Sequence, residues 1–185
     1  PNAAQSNITS ALNMQTLTGR LKNKEAQFVH VSTAFVHGNK TGSTNMPLSE
    51  ELFNFELFDP FEIYRSMLGT QFYASKAMAE LGFPNTYSFS KSVCEHVLTQ
   101  NQQVNTVIIR PSIVGPAIET PFEGWSGDRP STIVAGACLH LSSPWNIHHL
   151  GKESITFIPV DVLVRFILTK VFLSLIHISE PTRLV

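Results

Sequence analysis

The chain has 185 residues, enough for one domain with a real core and a small appendage. Hydrophobic residues make up 43% and charged residues 15%, a globular composition that argues against a disordered chain. Thirteen basic residues stand against fourteen acidic ones, so no global charge draws the chain to nucleic acid or an acidic membrane. Two distant cysteines, Cys94 and Cys138, form no CxxC, which argues against a disulfide framework or a thiolate zinc site and fits a reducing compartment.

Residues 1–25 read as a helix, with a loose apolar face of Ile8, Leu12, Gln15 and Leu17. Arg20, Lys22 and Lys24 crowd its C-terminal end, where the helix dipole favours cations. With no initiator Met and no N-terminal signal, this start is expected to be the interior of a longer chain. The triplets Asn7-Ile8-Thr9 and Asn39-Lys40-Thr41 are read as chance rather than as glycosylation acceptors. Residues 27–32 predict a parallel strand covered on both faces, with His30 as a satisfied core histidine. A loop follows over 33–47, broken by Gly38, Gly42, Ser43 and Asn45. Residues 48–82 are too long for an ordinary loop and are rich in aromatics, so they are expected to form helices. Their rings serve either as extra core or as an apolar wall near a site.

After Pro84 a helix begins, capped by Asn85 or Thr86, with Phe89, Val93 and Val97 as its buried stripe. Residues 106–110 predict the next buried strand, ended by Pro111. A long loop is expected over 112–131, a short helix over 132–141 and a strand over 154–158. Residues 160–178 approach membrane length, but Asp161, Arg165 and Lys170 interrupt them, and a charge at a span centre costs about 2.5–3.5 kcal/mol. A buried amphipathic helix is the better reading, with Asp161 as its cap rather than a catalytic acid. Alternating short apolar strands and helices form the pattern of a parallel sheet covered by helices.

Tyr87 and Lys91 lie four residues apart, one turn along a single helix face and away from the apolar stripe. A phenol beside an ammonium is suited to giving a proton to a carbonyl under reduction. A chance match to this spacing is expected on the order of 0.1 times in such a chain, so the pair needs support from elsewhere. That support comes from Ser32-Thr33-Ala34 and Arg110-Pro111-Ser112-Ile113-Val114-Gly115. Each follows a predicted strand, at the carboxyl end where parallel sheets bind ligands.

These stretches resemble the extended short-chain dehydrogenase/reductase superfamily. Within it, Pro84-Asn85-Thr86-Tyr87, the loop Pro121-Phe122-Glu123-Gly124-Trp125 and Ile158-Pro159-Val160-Asp161 resemble the alcohol-forming fatty acyl-CoA reductases. The resemblance spans about residues 7–170. It implies a doubly wound, Rossmann-like NAD(P)-binding sheet over 1–172, with a helical insertion at about 48–82 and an incomplete N-terminal half. Residues 173–185 depart from the pattern and resemble translated vector sequence. The resemblance implies Tyr87 as proton donor, and Lys91 as the charge that lowers the Tyr87 pKa and binds the nicotinamide ribose. It implies Thr33, five residues before Gly38, as the hydroxyl on the oxyanion, with Ser32 the lesser candidate. Tyr87 and Lys91 would also bind the cofactor, which Ser32, Pro111, Ser112 and Ile113 would line, and Asn7 would support the lysine through water. The implied reaction reduces long-chain fatty acyl-CoA to fatty alcohol with NADPH. Phe58 and Phe61 of the insertion would contact the acyl chain. The implied setting is intracellular, on peroxisomal or endoplasmic reticulum membranes, through regions outside this chain.

No G-x-G-x-x-G phosphate loop occurs in the sequence, so half of the cofactor cradle is expected to precede Pro1. Another extended reductase, of 3β-hydroxysteroid dehydrogenase or thioester reductase type, is a second reading that the Gly124-Trp125 loop argues against. A non-catalytic nucleotide-binding module is a third, opposed by Tyr87, Lys91 and Thr33. His148-His149 reads as a loop pair and not a metal site, because no matched ligand spacing accompanies it. Trp125 and Trp145 read as packing anchors rather than platforms for nucleic acid.

Overall fold

In the computed structural model the chain begins helical, but not as one uniform helix. α1 (Asn2–Ala4) passes through a π-turn (Gln5–Thr9) into α2 (Ser10–Gly19). The structure describes residues 1–23, 25–40, 49–100, 104–128, 132–142 and 156–174. The helix stops at Gly19, so Arg20 and Lys22 follow it rather than fill its last turn. Ala4, Ile8 and Gln15 form its buried face, whereas Leu17 is exposed, contrary to its expected place there. Gln15 earns its burial by donating from Nε2 to Leu98 O and Thr106 Oγ1, both at 2.8 Å.

β1 (Gln27–Val31) pairs in parallel with β2 (Asn105–Ile109), with Gln27 opposite Asn105 and Val31 opposite Ile109. The predicted strands are thus right to within a residue. The predicted burial on both faces does not hold, because Val31 at the carboxyl end is exposed. Between them, Thr33 opens a 3-10 turn (Ala34–His37), and the insertion builds α3 (Pro60–Leu68) and α4 (Phe72–Glu80). Asp59 caps α3 by accepting from Phe61 N and Glu62 N at 2.6 and 3.0 Å, with Pro60 preset for the first turn. Gly82, at φ +71°, makes the left-handed turn out of the insertion.

α5 (Thr86–Thr99) is the central element. Asn85, not Thr86, is its cap, accepting from Ser88 N at 2.8 Å. Phe89, Val93 and Val97 are buried as the spacing predicts. Phe89 meets Phe83 at 5.1 Å between ring centroids, and Phe53 meets Phe55 and Phe83 at 4.9 and 4.8 Å. Most of the insertion's aromatics therefore serve the core, with Phe58, Phe61, Tyr64 and Tyr73 half-buried against it. Phe72 is 77% exposed and stands outside it.

A buried ion pair ties these elements together. Arg110 Nε donates to Glu95 Oε1 at 2.9 Å and its Nη2 to Oε2. The remaining guanidinium donors reach Glu50 O at 2.7 Å and Glu51 O at 3.2 Å. His37 donates to the same Glu51 carbonyl, and His96 to Phe53 O.

The chain divides into two compact units, one running to Arg110 and one starting at Pro111. In the second, β3 (Ile113–Gly115) pairs in parallel with β4 (Phe157–Pro159), and α6 (Thr132–Ser142) and α7 (Val160–Ser174) complete the described elements. The architecture is α/β with two small parallel sheets among the described residues. β3 lies where a loop was expected. Its length of three residues, directly after Pro111-Ser112, leaves too little apolar run to be read as a strand. A Cβ on Gly115 would come within 2.7 Å of the Phe157 ring, so the glycine lets the two strands pair beneath that ring.

Asp161 is the second residue of α7 and not the cap expected before it. Its carboxylate accepts from Ile118 N, Glu119 N and Thr120 N at 3.2, 2.9 and 3.2 Å, and from Val162 N at 3.0 Å. Burial pushes this carboxyl up, yet the four backbone donors outweigh it and hold it at about 2. Ala117 and Trp125 close the following loop by Ala117 N to Trp125 O at 2.9 Å. Trp125 itself is exposed, so it anchors the loop through its backbone and not, as expected, by packing. Among the described residues no helix is long and apolar enough to cross a membrane. α7 buries Leu163 but exposes Val162, Val164 and Leu168, so it is not the buried amphipathic helix expected. Residues 41–48, Trp145, His148-His149, the first two residues of the predicted strand 154–158 and the tail from 175 lie outside the described residues.

Two outcomes follow. Phe89→Ala should lower unfolding free energy by about 3–5 kcal/mol in urea titrations, whereas Phe72→Ala should stay within about 0.5 kcal/mol. Asp161 has a folded pKa below its unfolded value of 3.8, so its stabilisation is complete above that pH and is lost as pH falls toward about 2. Asp161→Asn should therefore destabilise the chain at pH 7 and narrow its difference from the unsubstituted chain below pH 3, read by thermal melts.

Candidate active site

The carboxyl end of β1 and the first two turns of α5 meet here. Tyr87 projects from the first turn with its side chain half exposed, and no hydrogen-bond partner for its phenol occurs among the described residues. Lys91, one turn on, is half-buried and donates from Nζ to Val31 O at 2.9 Å. That bond sets the ammonium beside Ser32 and Thr33, the next residues of the chain. The structure thus brings Lys91 to the Ser32-Thr33 corner and keeps Tyr87 on the same helix face. Pro111, Ser112 and Ile113 belong to the second unit, where Ile113 begins β3 and all three are partly buried.

The two hydroxyls at the corner differ. Thr33, in extended conformation, accepts from Phe35 N at 3.3 Å and so caps the 3-10 turn. Its own proton remains available to a ligand oxygen. Ser32 Oγ is buried and has no partner among the described residues, although its backbone N–H is fixed on Ile109 O at 2.7 Å. His30 shares the Ser32 face of β1, two residues earlier. Its Nε2 is also buried without a partner, so it is a core histidine but not the satisfied one expected. Burial, and then the charge of Lys91, hold its imidazole down at about 4.

Burial also lowers the Lys91 pKa, and Cys94 and Glu95 pull it the other way. Cys94 is pushed up to about 12 by burial, against the pull of Lys91, and stays a neutral thiol that donates to Asn7 O at 3.0 Å. Asn7 sits in the π-turn and donates from Nδ2 to Ser90 Oγ at 2.8 Å, while Ser90 Oγ donates to Tyr87 O at 3.0 Å. The π-turn therefore braces the backbone turn that separates Tyr87 from Lys91, a placement common for such turns at functional sites. The sequence reading passed over Glu95. The signal was there: a carboxylate four residues after Lys91, between buried Val93 and Val97, with Arg110 as the cation ending the next strand. Among the described residues no group of His, Cys, Asp or Glu could hold a metal ion.

Residues 1–167 match a family of NAD-binding domains described as Male sterility protein. Fatty acyl-CoA reductase 1 of Gallus gallus is 29% identical over 175 residues, covering 93% of this chain and 33% of that protein. Fatty acyl-CoA reductase 1 of Homo sapiens is 29% identical over 177 residues, again 93% of this chain and 33% of that protein. Fatty acyl-CoA reductase 2 of Bos taurus is 28% identical over 188 residues, 97% of this chain and 34% of that protein. The chain thus spans about a third of the length of the curated relatives it matches.

The residues present fit one end of a nicotinamide cofactor. An unpartnered buried hydroxyl on Ser32 and the two further N–H donors of Lys91 are what ribose hydroxyls require. The sequence supplies no glycine-rich loop for the phosphates.

His30 has a folded pKa below its unfolded value of 6.5, so acid favours the unfolded chain, which takes up the proton first. Stability should fall between about pH 6.5 and pH 4 and then level off for this group. Urea midpoints across that window should show a smaller loss in His30→Asn than in the unsubstituted chain.

Proposed function

Because the chain belongs to the Male sterility protein family of NAD-binding domains, we propose that it carries the Tyr/Lys centre of a reductase. That enzyme uses NADPH to convert long-chain fatty acyl-CoA to fatty alcohol. One observation carries the reading: a half-exposed phenol on the first turn of α5, one turn before an ammonium anchored on the carboxyl end of β1. The names of the relatives, fatty acyl-CoA reductases, support the substrate class. The β1–β2 pair is read as part of a doubly wound, Rossmann-like sheet, and any attachment to peroxisomal or endoplasmic reticulum membranes is assigned to regions outside this chain.

A reduced nicotinamide, when bound, supplies hydride. As negative charge gathers on the substrate oxygen, the Thr33 hydroxyl donates a hydrogen bond to it, its acceptor side already occupied by Phe35 N–H. Tyr87 gives its phenolic proton to the same oxygen. The Lys91 charge, one helical turn away, stabilises the tyrosinate left behind. Lys91 and Ser32 hold the ribose side. Two such rounds reduce the thioester: the first expels coenzyme A as the thiol and leaves an aldehyde, and the second yields the alcohol.

The full-length reductase assayed with palmitoyl-CoA should consume about two NADPH per alcohol formed. Tyr87→Phe should lose about 10²–10⁴-fold in turnover, with NADPH affinity unchanged by fluorescence titration. An active Tyr87→Phe enzyme would remove Tyr87 from the role of proton donor.

A further inference from the structure

Tyr87, Lys91 and Glu95 follow one another at intervals of four along α5, and they descend from solvent into the core. Tyr87 is half exposed, Lys91 half-buried and the Glu95 side chain 1% exposed. Residues at this spacing lie within about 5–6 Å of each other at Cβ. Glu95 makes no ion pair with Lys91; both of its oxygens are taken by the Arg110 fork. Lys91 instead spends a donor on the Val31 carbonyl and keeps its charge facing the Ser32-Thr33 corner.

We propose that Tyr87, Lys91 and Glu95 are one functional stripe, in which the Glu95–Arg110 pair is a positioning unit that fixes the charge felt by Lys91. An ionised Glu95 without Arg110 would draw the ammonium down the helix, away from the corner. Arg110 without Glu95 would repel it. The bound pair does neither strongly, since the carboxylate's charge is answered by the cation beside it and only a residual upward pull reaches Lys91. Two consequences follow for Lys91. Its ammonium survives partial burial because a carboxylate lies one turn below, and it stays free to turn toward Tyr87 because that carboxylate is already bonded. The direction of the Glu95 influence on Lys91, upward in pKa and opposite to burial, agrees with this. The other groups facing Lys91 are His30 from β1, which is neutral at pH 7, and Cys94 from α5, a neutral thiol. Neither carries a charge at pH 7, and Cys94 adds to the upward pull on Lys91 only where its thiol ionises, at about 12.

The proposal rests on Lys91 being the cation of the site, and its test reads that charge without turnover, so it stands or falls apart from the reductase reading. Competitive labelling of Lys91 with acetic anhydride, followed by mass spectrometry from pH 7 to 11, gives its titration midpoint in the 185-residue chain. In Glu95→Gln, which keeps the shape and an oxygen for Arg110, the midpoint should fall by on the order of one pH unit. In Glu95→Gln with Arg110→Gln, which leaves no unpaired buried charge, at least half of that fall should be recovered. In Arg110→Lys, which keeps the charge and loses the fork, the midpoint should stay in place. An unmoved midpoint in Glu95→Gln overturns the proposal. So does a shift in Arg110→Lys as large as that in Glu95→Gln, which would mark packing and not charge as the cause. Should Glu95→Gln fail to fold, Arg110→Lys decides alone, and a moved midpoint there overturns it.

Discussion

The bidentate bond between Glu95 and Arg110 is the constraint on which the first unit depends. Two charges out of water cost several kcal/mol each, and only close geometry with every remaining donor satisfied recovers that. Arg110 meets the condition by sending its other donors to the Glu50 and Glu51 carbonyls. Three otherwise separate parts are thereby fixed to one point: the middle of α5, the end of β2 and the entrance to the helical insertion. Removing one partner of such a pair costs about 3–5 kcal/mol, against a total stability of about 5–15 kcal/mol for a domain. A well-packed apolar replacement of both would cost little, so the pair is no measure of gross stability.

From that fixed point the candidate site is assembled by backbone as much as by side chains. Lys91 is held by a strand carbonyl, Thr33 by a turn amide, and the turn carrying Tyr87 by Ser90 and the Asn7 amide of the π-turn. Each of these bonds joins a side chain to an element whose place is set by core packing around Phe89 and Val93. The candidate site groups themselves keep spare capacity. Tyr87 has an unpartnered phenol, Ser32 an unpartnered hydroxyl and Lys91 further donors. Buried polar groups are normally satisfied, so the unpartnered Ser32 hydroxyl beside the further Lys91 donors is capacity that a ligand could use.

Local signals made much of this legible in the sequence. β1 and β2 announced themselves as short apolar runs, α5 by Asn85 and its four-residue stripe, and the Tyr87/Lys91 pair by its spacing. What stayed hidden depended on partners distant in sequence. Gln15 was placed on the buried face, but its reason for being there, the bonds to Leu98 and Thr106, is not visible in the residue pattern. Glu95 takes its meaning only from Arg110, and Asp161 reads as an ordinary cap until three loop amides converge on it. His30 was placed correctly in the core, but its unsatisfied nitrogen is a property of the surrounding packing and leaves no trace in a residue pattern. β3 was missed because three residues are too few to show a period.

The Asp161 carboxylate also bears on the order in which the chain acquires its shape. The amides it binds lie 41 to 43 residues earlier, so the loop through Ile118, Glu119 and Thr120 leaves the ribosome well before its anchor. At synthesis rates of about 5–20 residues per second, the interval is about 2–8 s. Through that time the loop can hold the Ala117–Trp125 closure but not its attachment to α7. The segment bearing exposed Phe122 and Trp125 is therefore held at one end only until α7 is made.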